Sequence, residues 1–493
     1  MPQWCFRLIL RYNWSVDQGG NQIRTIKLEN ILGQEVTHTN YSESERQAFR
    51  DLLHEETKTL KRWFDDGAFA APALPTTGLE LEAWLLDENH LPTPNNDVFI
   101  KTINDERVVP ELSKFNFELN IDPQPLSANF LSTIHADLSG LWQRCIDVAD
   151  TLSFKPIHIG ILPTVRDEML QPDWMSDSNR YTALNRELLS RRQGKPIHIN
   201  IAGSDRLDFE ASHIMLEAAC TSLQAHLLIT PENAVRMQNA SMIASGPLVA
   251  ASANSPFLYG QDLWAETRIP TFEQSTAVDG FRDLQGRQAL RVTFGSGYLR
   301  HSFLELFLEN LSYPVLLPSV DNSGKQLAHL RLQNGTIWRW NRPILGFDGE
   351  GTPHLRIEHR IIPAGPTIPD MIANLALYFG LALALGEAPI PPENDLPFED
   401  ARANFYACAK HGLDAAVTWQ GKTIGVQALL LEQLVPSAKQ ALRQKGVLDT
   451  DLNLYFDEIL VPRLRKGQTG AAWQRSFVQC NGKNFSGVNG SLS

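Results

Sequence analysis

Four segments of the chain alternate between apolar and polar residues, a pattern typical of β-strands that bury one face. The apolar positions of each segment hold leucine, isoleucine, phenylalanine or alanine. The segments are GLELEAW from Gly78, KFNFELNID from Lys114, KPIHINIAG from Lys195 and HLRIEHR from His354. The pattern therefore predicts four strands that each have one apolar and one polar face.

Elsewhere apolar residues recur three and four positions apart, which predicts helices. We expect helices near 42–64, 127–151, 179–192, 206–227, 232–245 and 297–311, and over most of the chain from about 366 to 465. Strands are expected at 79–86, 115–121, 156–162, 196–201 and 355–362, and a strand-like segment, CFRLILRY, begins at Cys5. Because strands do not alternate strictly with helices, a Rossmann sheet or a TIM barrel fits poorly. The order favours an α+β fold, an antiparallel or mixed sheet with helices on one face.

The longest apolar run extends from Met371 to Leu385 and is interrupted by Asn374. It is shorter than the ~20 residues that a membrane span needs. Thr367 and Pro369 precede it and a proline-rich segment follows it, which is typical of a buried helix with defined ends. We therefore expect no membrane partner.

The charge of the chain narrows the choice of partners. Lys and Arg number 44 against 56 Asp and Glu, which gives a formal net charge of −12. This balance argues against nucleic acid as the main partner, because the phosphate backbone requires a basic surface. A local basic pocket for a nucleotide remains compatible with it. Five scattered cysteines without a CxxC pair indicate reduced thiols and a cytoplasmic location.

The polar faces of the four strands carry an unusual set of side chains. The set comprises Glu80 and Glu82; Asn116, Glu118 and Asn120; His198 and Asn200; and Arg356, Glu358 and Arg360. Glu111 precedes Glu118 by seven residues. A solvated face of an antiparallel sheet alternates in the same way, so each strand alone is weak evidence.

Together, the polar faces point to bound cations. Carboxylates on neighbouring strands repel one another unless a cation lies between them. Oxygen-rich ligand sets suit Mg²⁺ or Mn²⁺, and an arginine beside them suits a phosphoryl group. The sequence contains neither GxxxxGK followed by Ser or Thr nor GxGxxG. A bound nucleotide would therefore be held by metals and arginines without a phosphate-binding loop.

These motifs resemble those of the glutamate–cysteine ligases and related carboxylate–amine ligases. The resemblance extends from about Gly78 to Arg360 and is carried by GLELE, ELSKFNFELN, RYTALN, PIHINIAG, ASANSPFLYG with WAETR behind it, and RIEHR. It implies a glutamine-synthetase-like catalytic fold, with a curved sheet that has helices on its outer face. We expect three parts: an N-terminal strand and helix extension over 1–70, a catalytic ligase domain over 71–470 that includes a helical C-terminal part, and a tail over 471–493. The resemblance adds little before residue 71 or after about residue 390, and the tail is expected to be flexible because its sequence is rich in glycine, asparagine and serine.

The resemblance assigns roles to individual residues. It implies metal ligands at Glu80, Glu82, Glu111, Glu118, His198, Asn200 and Glu358. It implies that Arg360 contacts the γ-phosphate of ATP and is catalytic together with Glu358. Substrate or nucleotide contacts are expected at Arg180, Ser252, Asn254, Arg268 and Arg300.

The implied reaction is ATP-dependent synthesis of γ-glutamylcysteine through an acyl phosphate, with Mg²⁺ or Mn²⁺ as cofactor. The expected partners are therefore amino acids and ATP. Three alternatives stay open: a ligase for a different amine or acid, a non-catalytic nucleotide-binding relative, and a metal-dependent hydrolase that uses the same acids. The sequence indicates neither the oligomeric state nor the general base.

Overall fold

The computed structural model describes residues 36–70, 74–278, 290–319 and 325–491, and the backbone of two short strands before them. The strands are β1 Trp14–Val16, β2 Gln22–Arg24, β3 Thr76–Leu86, β4 Val108–Pro110, β5 Asn116–Pro125, β6 Lys155–Ile157, β7 Ile197–Ala202, β8 Arg206–Ala211, β9 Leu223–Ile229, β10 Phe257–Leu258, β11 Gln261–Asp262, β12 Val292–Thr293, β13 Trp338–Arg339, β14 Asn341–Phe347, β15 Pro353–His359, β16 Ala416–Trp419 and β17 Lys422–Gly425. The strand predicted at CFRLILRY lies outside the described residues.

Five of the six helices predicted before residue 366 correspond to helices of the structure, although the one predicted over 297–311 is shorter than expected. They are α1 Glu43–Asp66, α2 Asn96–Ile103, α3 Phe130–Thr151, α4 Asn179–Arg191, α5 Ala234–Ser252, α6 Arg268–Ser275, α7 Leu304–Asn310, α8 Ala328–Asn334, α9 Ile368–Gly386, α10 Phe398–His411, α11 Val426–Leu429, α12 Val435–Gln444, α13 Asp449–Leu452, α14 Val461–Arg465, α15 Gly470–Asn481 and α16 Phe485–Gly490. Ser42 caps α1, and its side chain and that of Glu45 form a reciprocal capping box. Helix α1 packs against α7 and α8.

The central sheet has seven strands in the order β14-β15-β9-β3-β5-β4, with β6 paired to β3. All of its pairings are antiparallel. The prediction of an antiparallel or mixed sheet is therefore confirmed, and the sheet is antiparallel. The apolar faces of β3 and β5 are fully buried, and α3 packs against β5. The opposite face of the sheet carries the acids.

The long apolar helix α9 lies in the core, where it packs against α5 and α12. By length and composition it could cross a membrane, but 72% of its apolar window is buried inside the fold. The side chain of Thr367 accepts a hydrogen bond from the backbone of Asp370 and caps the helix. The prediction of a buried helix over this run is confirmed.

The helix predicted over 206–227 is wrong. The segment forms β8, a short 3-10 turn at Ile214–Ala219, and β9. Every residue of β9 is buried, because it lies between β15 and β3 in the middle of the sheet. A strand that is buried on both faces appears in sequence as a continuous apolar run, which periodicity does not distinguish from a helix.

Residues 471–490 also differ from the prediction of a flexible tail, because they form α15 and α16. Thr469 caps α15, and the side chain of Gln474 donates to both oxygens of Asn254. Asn489 donates to the hydroxyl of Thr164. These contacts fix a glycine- and serine-rich segment whose composition alone favours disorder.

Candidate active site

The register of the central sheet brings acids from several strands side by side. Glu82 on β3 lies opposite Glu118 on β5, and Glu80 lies opposite Asn120. On the other side, Glu358 on β15 lies opposite His226 on β9. Because these residues alternate with buried apolar ones, their side chains all emerge on the same face of the sheet.

Two groups of three potential metal ligands result. The ligand atoms within each group lie within 4.8 Å of one another. The first group is Glu80, His226 and Glu358, and the second is Glu82, Glu111 and Glu118. The Nε2 atom of His226 lies 3.0 Å from Glu80 and 4.0 Å from Glu358. Its imidazole is buried, and neither ring nitrogen forms a well-oriented hydrogen bond to the residues described.

Arginine and glutamine side chains connect the two groups. Arg342 donates to Glu358 at 2.6 Å, and Arg360 donates to the other carboxylate oxygen at 3.0 Å. Arg360 also donates to the amide oxygen of Gln224, whose nitrogen donates to Glu82 at 2.8 Å. The guanidinium of Arg360 therefore lies between the two groups of acids.

The electrostatic environment differs between the two groups. Burial, and then the charge of Glu111, raises the pKa of Glu82 to about 7. Burial, and then the charges of Glu80 and Glu111, raises the pKa of Glu118 well above its usual value. Burial acts in the same direction on Glu358, but the guanidiniums of Arg342 and Arg360 hold the pKa of that carboxyl well below its usual range.

These residues fit divalent cations. Each group supplies two or three carboxylates at mutual distances that a shared cation would bridge, and the first adds the buried imidazole of His226, whose Nε2 lies 3.0 Å from Glu80. Oxygen ligands with one imidazole are a donor set that Mg²⁺ and Mn²⁺ accept. Burial, and then the charges of neighbouring carboxylates, raise the pKa values of Glu82 and Glu118, and a bound cation would favour the ionised form of both.

The structure corrects the assignment of His198 and Asn200 as metal ligands. Both lie exposed on the hairpin of β7 and β8, and His198 pairs with Asp208 at 2.8 Å. The backbone of Asn200 bonds to Gln274 instead. The alternation of KPIHINIAG is that of a solvated hairpin, and it is His226 that joins the acids.

Three residues expected to line the substrate side hold the protein together instead. Ser252 is buried and donates to the carbonyl of Leu248 within α5. The amide of Asn254 is enclosed, because it donates to Ala364 and accepts from Gln474. Arg268 is buried in an ion pair with Glu266, and its guanidinium faces the backbone at the end of β15.

Arg180 and Arg300 differ in where they lie. Arg180 is half-buried at the start of α4, beside Tyr181, whose pKa is raised by burial and then by the charge of Glu111. It therefore borders the acids, and its substrate contact stays a prediction. Arg300 is exposed, and its backbone nitrogen bonds to Glu305.

Sequence reasoning missed His226, Gln224, Arg342 and Glu217. His226 and Gln224 belong to β9, most of which lies in the segment 206–227 for which a helix is predicted. Burial, and then the charges of Glu111 and Glu82, raises the pKa of Glu217 to about 8, which places this carboxyl near the second group. The signal available in the sequence was a histidine and a glutamine at alternate positions in the apolar run LQAHLLI.

Comparison with known proteins agrees with this geometry. Residues 76–294 match the model of glutamate–cysteine ligase family 2. Among solved structures, glutamate–cysteine ligase from Francisella tularensis in complex with AMP is similar with a TM-score of 0.50 and 13% identity, over 86% of this chain and 89% of that chain. A bifunctional glutathione synthetase from Pasteurella multocida gives a TM-score of 0.49 and 12% identity, over 85% of this chain and 52% of that chain. No curated protein matches the chain.

At 13% identity the Francisella structure establishes the fold alone, and the family model covers the segment that contains β3, β5, β9 and five of the six potential metal ligands. The resemblance seen in the motifs is therefore confirmed: residues 76–294 match the model of glutamate–cysteine ligase family 2, and the fold of the chain is similar to that of a glutamate–cysteine ligase.

Proposed function

We propose that this protein is an ATP-dependent carboxylate–amine ligase, and that its substrates are glutamate and cysteine. One observation carries the proposal: two groups of carboxylates face each other across Arg360, within the family-matched part of the sheet and its neighbouring strand β15. Such an arrangement suits a reaction between an anionic carboxylate and an anionic polyphosphate. Glu80, Glu82, Glu111, Glu118, His226 and Glu358 would hold the divalent cations.

The proposed reaction has two steps. An oxygen of the γ-carboxylate of glutamate attacks the γ-phosphorus of ATP, and the bond from that phosphorus to the ADP oxygen breaks. The amine of cysteine then attacks the acyl carbon, the carbon–oxygen bond to phosphate breaks, and the amine loses a proton. The products are the amide, ADP and phosphate.

The chain's own residues account for the first step mainly through charge and positioning. Bound Mg²⁺ or Mn²⁺ would supply positive charge that reduces the repulsion between the two anions. Arg360 presents a planar guanidinium, which matches the oxygens of a phosphoryl group in transfer. Glu358 and Gln224 hold that guanidinium at two points. Phosphoryl transfer needs no covalent nucleophile from the protein, and none is proposed.

The decisive experiment measures phosphate release from ATP and Mg²⁺ with glutamate and each candidate amine in turn, and identifies the product by mass spectrometry. We expect release that requires both amino acids, together with γ-glutamylcysteine. Release with another acid or amine would keep the reaction class and change the substrates. Metal-dependent cleavage of γ-glutamylcysteine or another amide without ATP would indicate a hydrolase, and ATP binding without turnover on any pair would indicate a non-catalytic relative.

A further inference from the structure

A buried ion pair lies behind the strand end that carries Arg360. Nε of Arg268 donates to Glu266 at 3.0 Å, and the two side chains are 2% and 0% exposed. The guanidinium also stacks on the ring of Trp340, with 5.4 Å from its central carbon to the ring centre. Both residues belong to the segment in which a substrate contact was predicted, but neither is accessible to a substrate.

The remaining donors of this arginine are directed at the backbone of the strand end. Nη1 of Arg268 donates to the carbonyl of Arg360 at 3.1 Å, and Nη2 donates to the carbonyl of Ile361. The backbone nitrogen of Arg360 donates in turn to Trp340 at 3.0 Å. All three nitrogens of the Arg268 guanidinium thus have protein acceptors, and two of the three acceptors fix the main chain at residues 360 and 361.

The carboxylate of Glu266 connects the ion pair to the loop that follows α5. Its second oxygen accepts from the backbone nitrogen of Asn254 at 2.8 Å, and the backbone nitrogen of Arg268 donates to Ser255. The pair therefore connects the loop after α5 to the end of β15. A buried ion pair is often no more stabilising than well-packed apolar residues, so stability alone does not explain it.

We infer that the buried Glu266–Arg268 pair positions Arg360: it holds the main chain at residues 360 and 361 so that the Arg360 guanidinium reaches Glu358 and Gln224. This inference rests on the proposed function for its effect on turnover. Arg268 is a positioning residue, because it touches the reacting groups only through Arg360. Displacing a positioned group by about 1 Å commonly costs up to about 100-fold in rate.

The test compares two buried arginines with similar surroundings. Arg268→Lys keeps the charge and removes the second and third donors. Arg339→Lys is the matched control, because Arg339 is also 2% exposed, pairs with Glu309 at 3.4 Å and stacks on Tyr313 at 5.7 Å. We expect Arg268→Lys to lower kcat roughly 10- to 100-fold, as is typical when a residue that orients a functional group is changed. The KM for ATP should change less, and Arg339→Lys should keep the wild-type kcat.

A double-mutant cycle separates positioning from general damage. In an Arg360→Lys background, Arg268→Lys should cost little more, because its effect passes through Arg360. Full additivity of the two losses, or a wild-type kcat in Arg268→Lys, would overturn the inference. If Arg268→Lys fails to fold, Glu266→Gln removes one partner of the pair and is judged by the same criteria.

A second readout does not depend on turnover. Hydrogen–deuterium exchange of peptides that cover residues 359–362 should be faster in Arg268→Lys than in the wild type and unchanged in Arg339→Lys. Equal exchange in both variants would contradict the inference. An inactive wild-type protein would overturn the proposed function, whereas an active wild type with unaltered kcat and exchange in Arg268→Lys would overturn only the positioning role.

Discussion

Arg360 is held in place from two directions, by its hydrogen bonds to Glu358 and Gln224 and by the contacts of its main chain. Its guanidinium keeps a high pKa, because the burial that would lower it is outweighed by the charges of Glu358 and Glu82. A guanidinium that stays charged in a buried site is suited to a developing negative charge on phosphate.

Arg360→Ala should therefore lower the kcat of the ATP-dependent reaction by two or more orders of magnitude, because losses of this size are typical for a group that stabilises phosphoryl transfer. The midpoint of thermal unfolding and the phosphate-release rate measure the outcome together. Arg206→Ala serves as control, because Arg206 is 63% exposed and pairs only with Asp208 among the residues described. Wild-type turnover in Arg360→Ala would contradict the proposed role.

The two histidines offer a second comparison at this scale. His226→Ala should raise the Mg²⁺ concentration needed for half-maximal activity at least tenfold, because it removes a potential ligand between Glu80 and Glu358. His198→Ala should leave it unchanged, because His198 lies on an exposed hairpin. Titration with Mn²⁺, followed by electron paramagnetic resonance, measures the same difference in affinity directly. An effect of His198→Ala without an effect of His226→Ala would instead support His198 as the metal ligand.

At the scale of elements, the sequence predicted β3, β5 and β15 but not β9, which lies between β15 and β3. Strands β3, β5 and β15 were identified because each has one polar face, and the same alternation identified Glu80, Glu82, Glu118 and Glu358. Strand β15 is buried at every position too, but Arg356 and Glu358 alternate with its apolar residues, whereas β9 has only Gln224 and His226 in an otherwise apolar run. The sequence analysis therefore did not identify His226 and Gln224, which belong to β9, as residues of the site.

The hairpin of β7 and β8 shows the converse error. Its alternation is regular, with buried isoleucines and exposed residues between them. The pattern indicates correctly that His198 and Asn200 share a face, but it does not indicate what that face meets. Which polar faces of a protein converge depends on tertiary contacts between residues far apart in sequence, and a single sequence does not contain that information.

Helix α15 yields a prediction that composition would not suggest. The amide nitrogen of Gln474 donates to the backbone and side-chain oxygens of Asn254, and Gln474 is fully buried. Gln474→Ala should lower the free energy of unfolding by about 1–3 kcal/mol, the usual cost of leaving a buried polar group unsatisfied. Chemical denaturation measures this, with the exposed Gln479→Ala on the same helix as control. Equal stability of the two variants would show that α15 is not anchored at Asn254.

At the scale of the whole molecule, several acids that raise the negative charge of the chain lie on one face of the central sheet and are shielded from solvent. Burial and mutual repulsion raise the pKa of Glu82 to about 7 and that of Glu217 to about 8, against an ordinary value of 4.5. Over this range the carboxyls of Glu82 and Glu217 bind more protons in the folded protein than in the unfolded chain. In contrast, His158, His354 and His359, whose pKa values burial lowers, bind fewer protons in the folded protein below their ordinary value of 6.5. Above about pH 6.5 the carboxyls dominate, so stability falls as pH rises.

Without divalent cations, the unfolding midpoint should therefore decrease as the pH is raised from about 6.5 to about 8. Added Mg²⁺ should oppose the decrease, because bound cations favour the ionised carboxylates, and its binding at pH 7 should release protons. Thermal unfolding with a chelator or with Mg²⁺, and calorimetry in buffers of different ionisation enthalpy, measure these effects. A flat or rising midpoint over this range in the presence of chelator would be inconsistent with the raised pKa values.

The hydrogen bond between Asn254 and Gln474 joins residues separated by 220 positions along the chain. Asn254 in turn bonds to Glu266, the partner of Arg268. During synthesis on the ribosome, the strands that carry the acids emerge long before the glutamine that secures this support. The hydrogen bonds between Asn254 and Gln474 can therefore form only after α15 has left the exit tunnel.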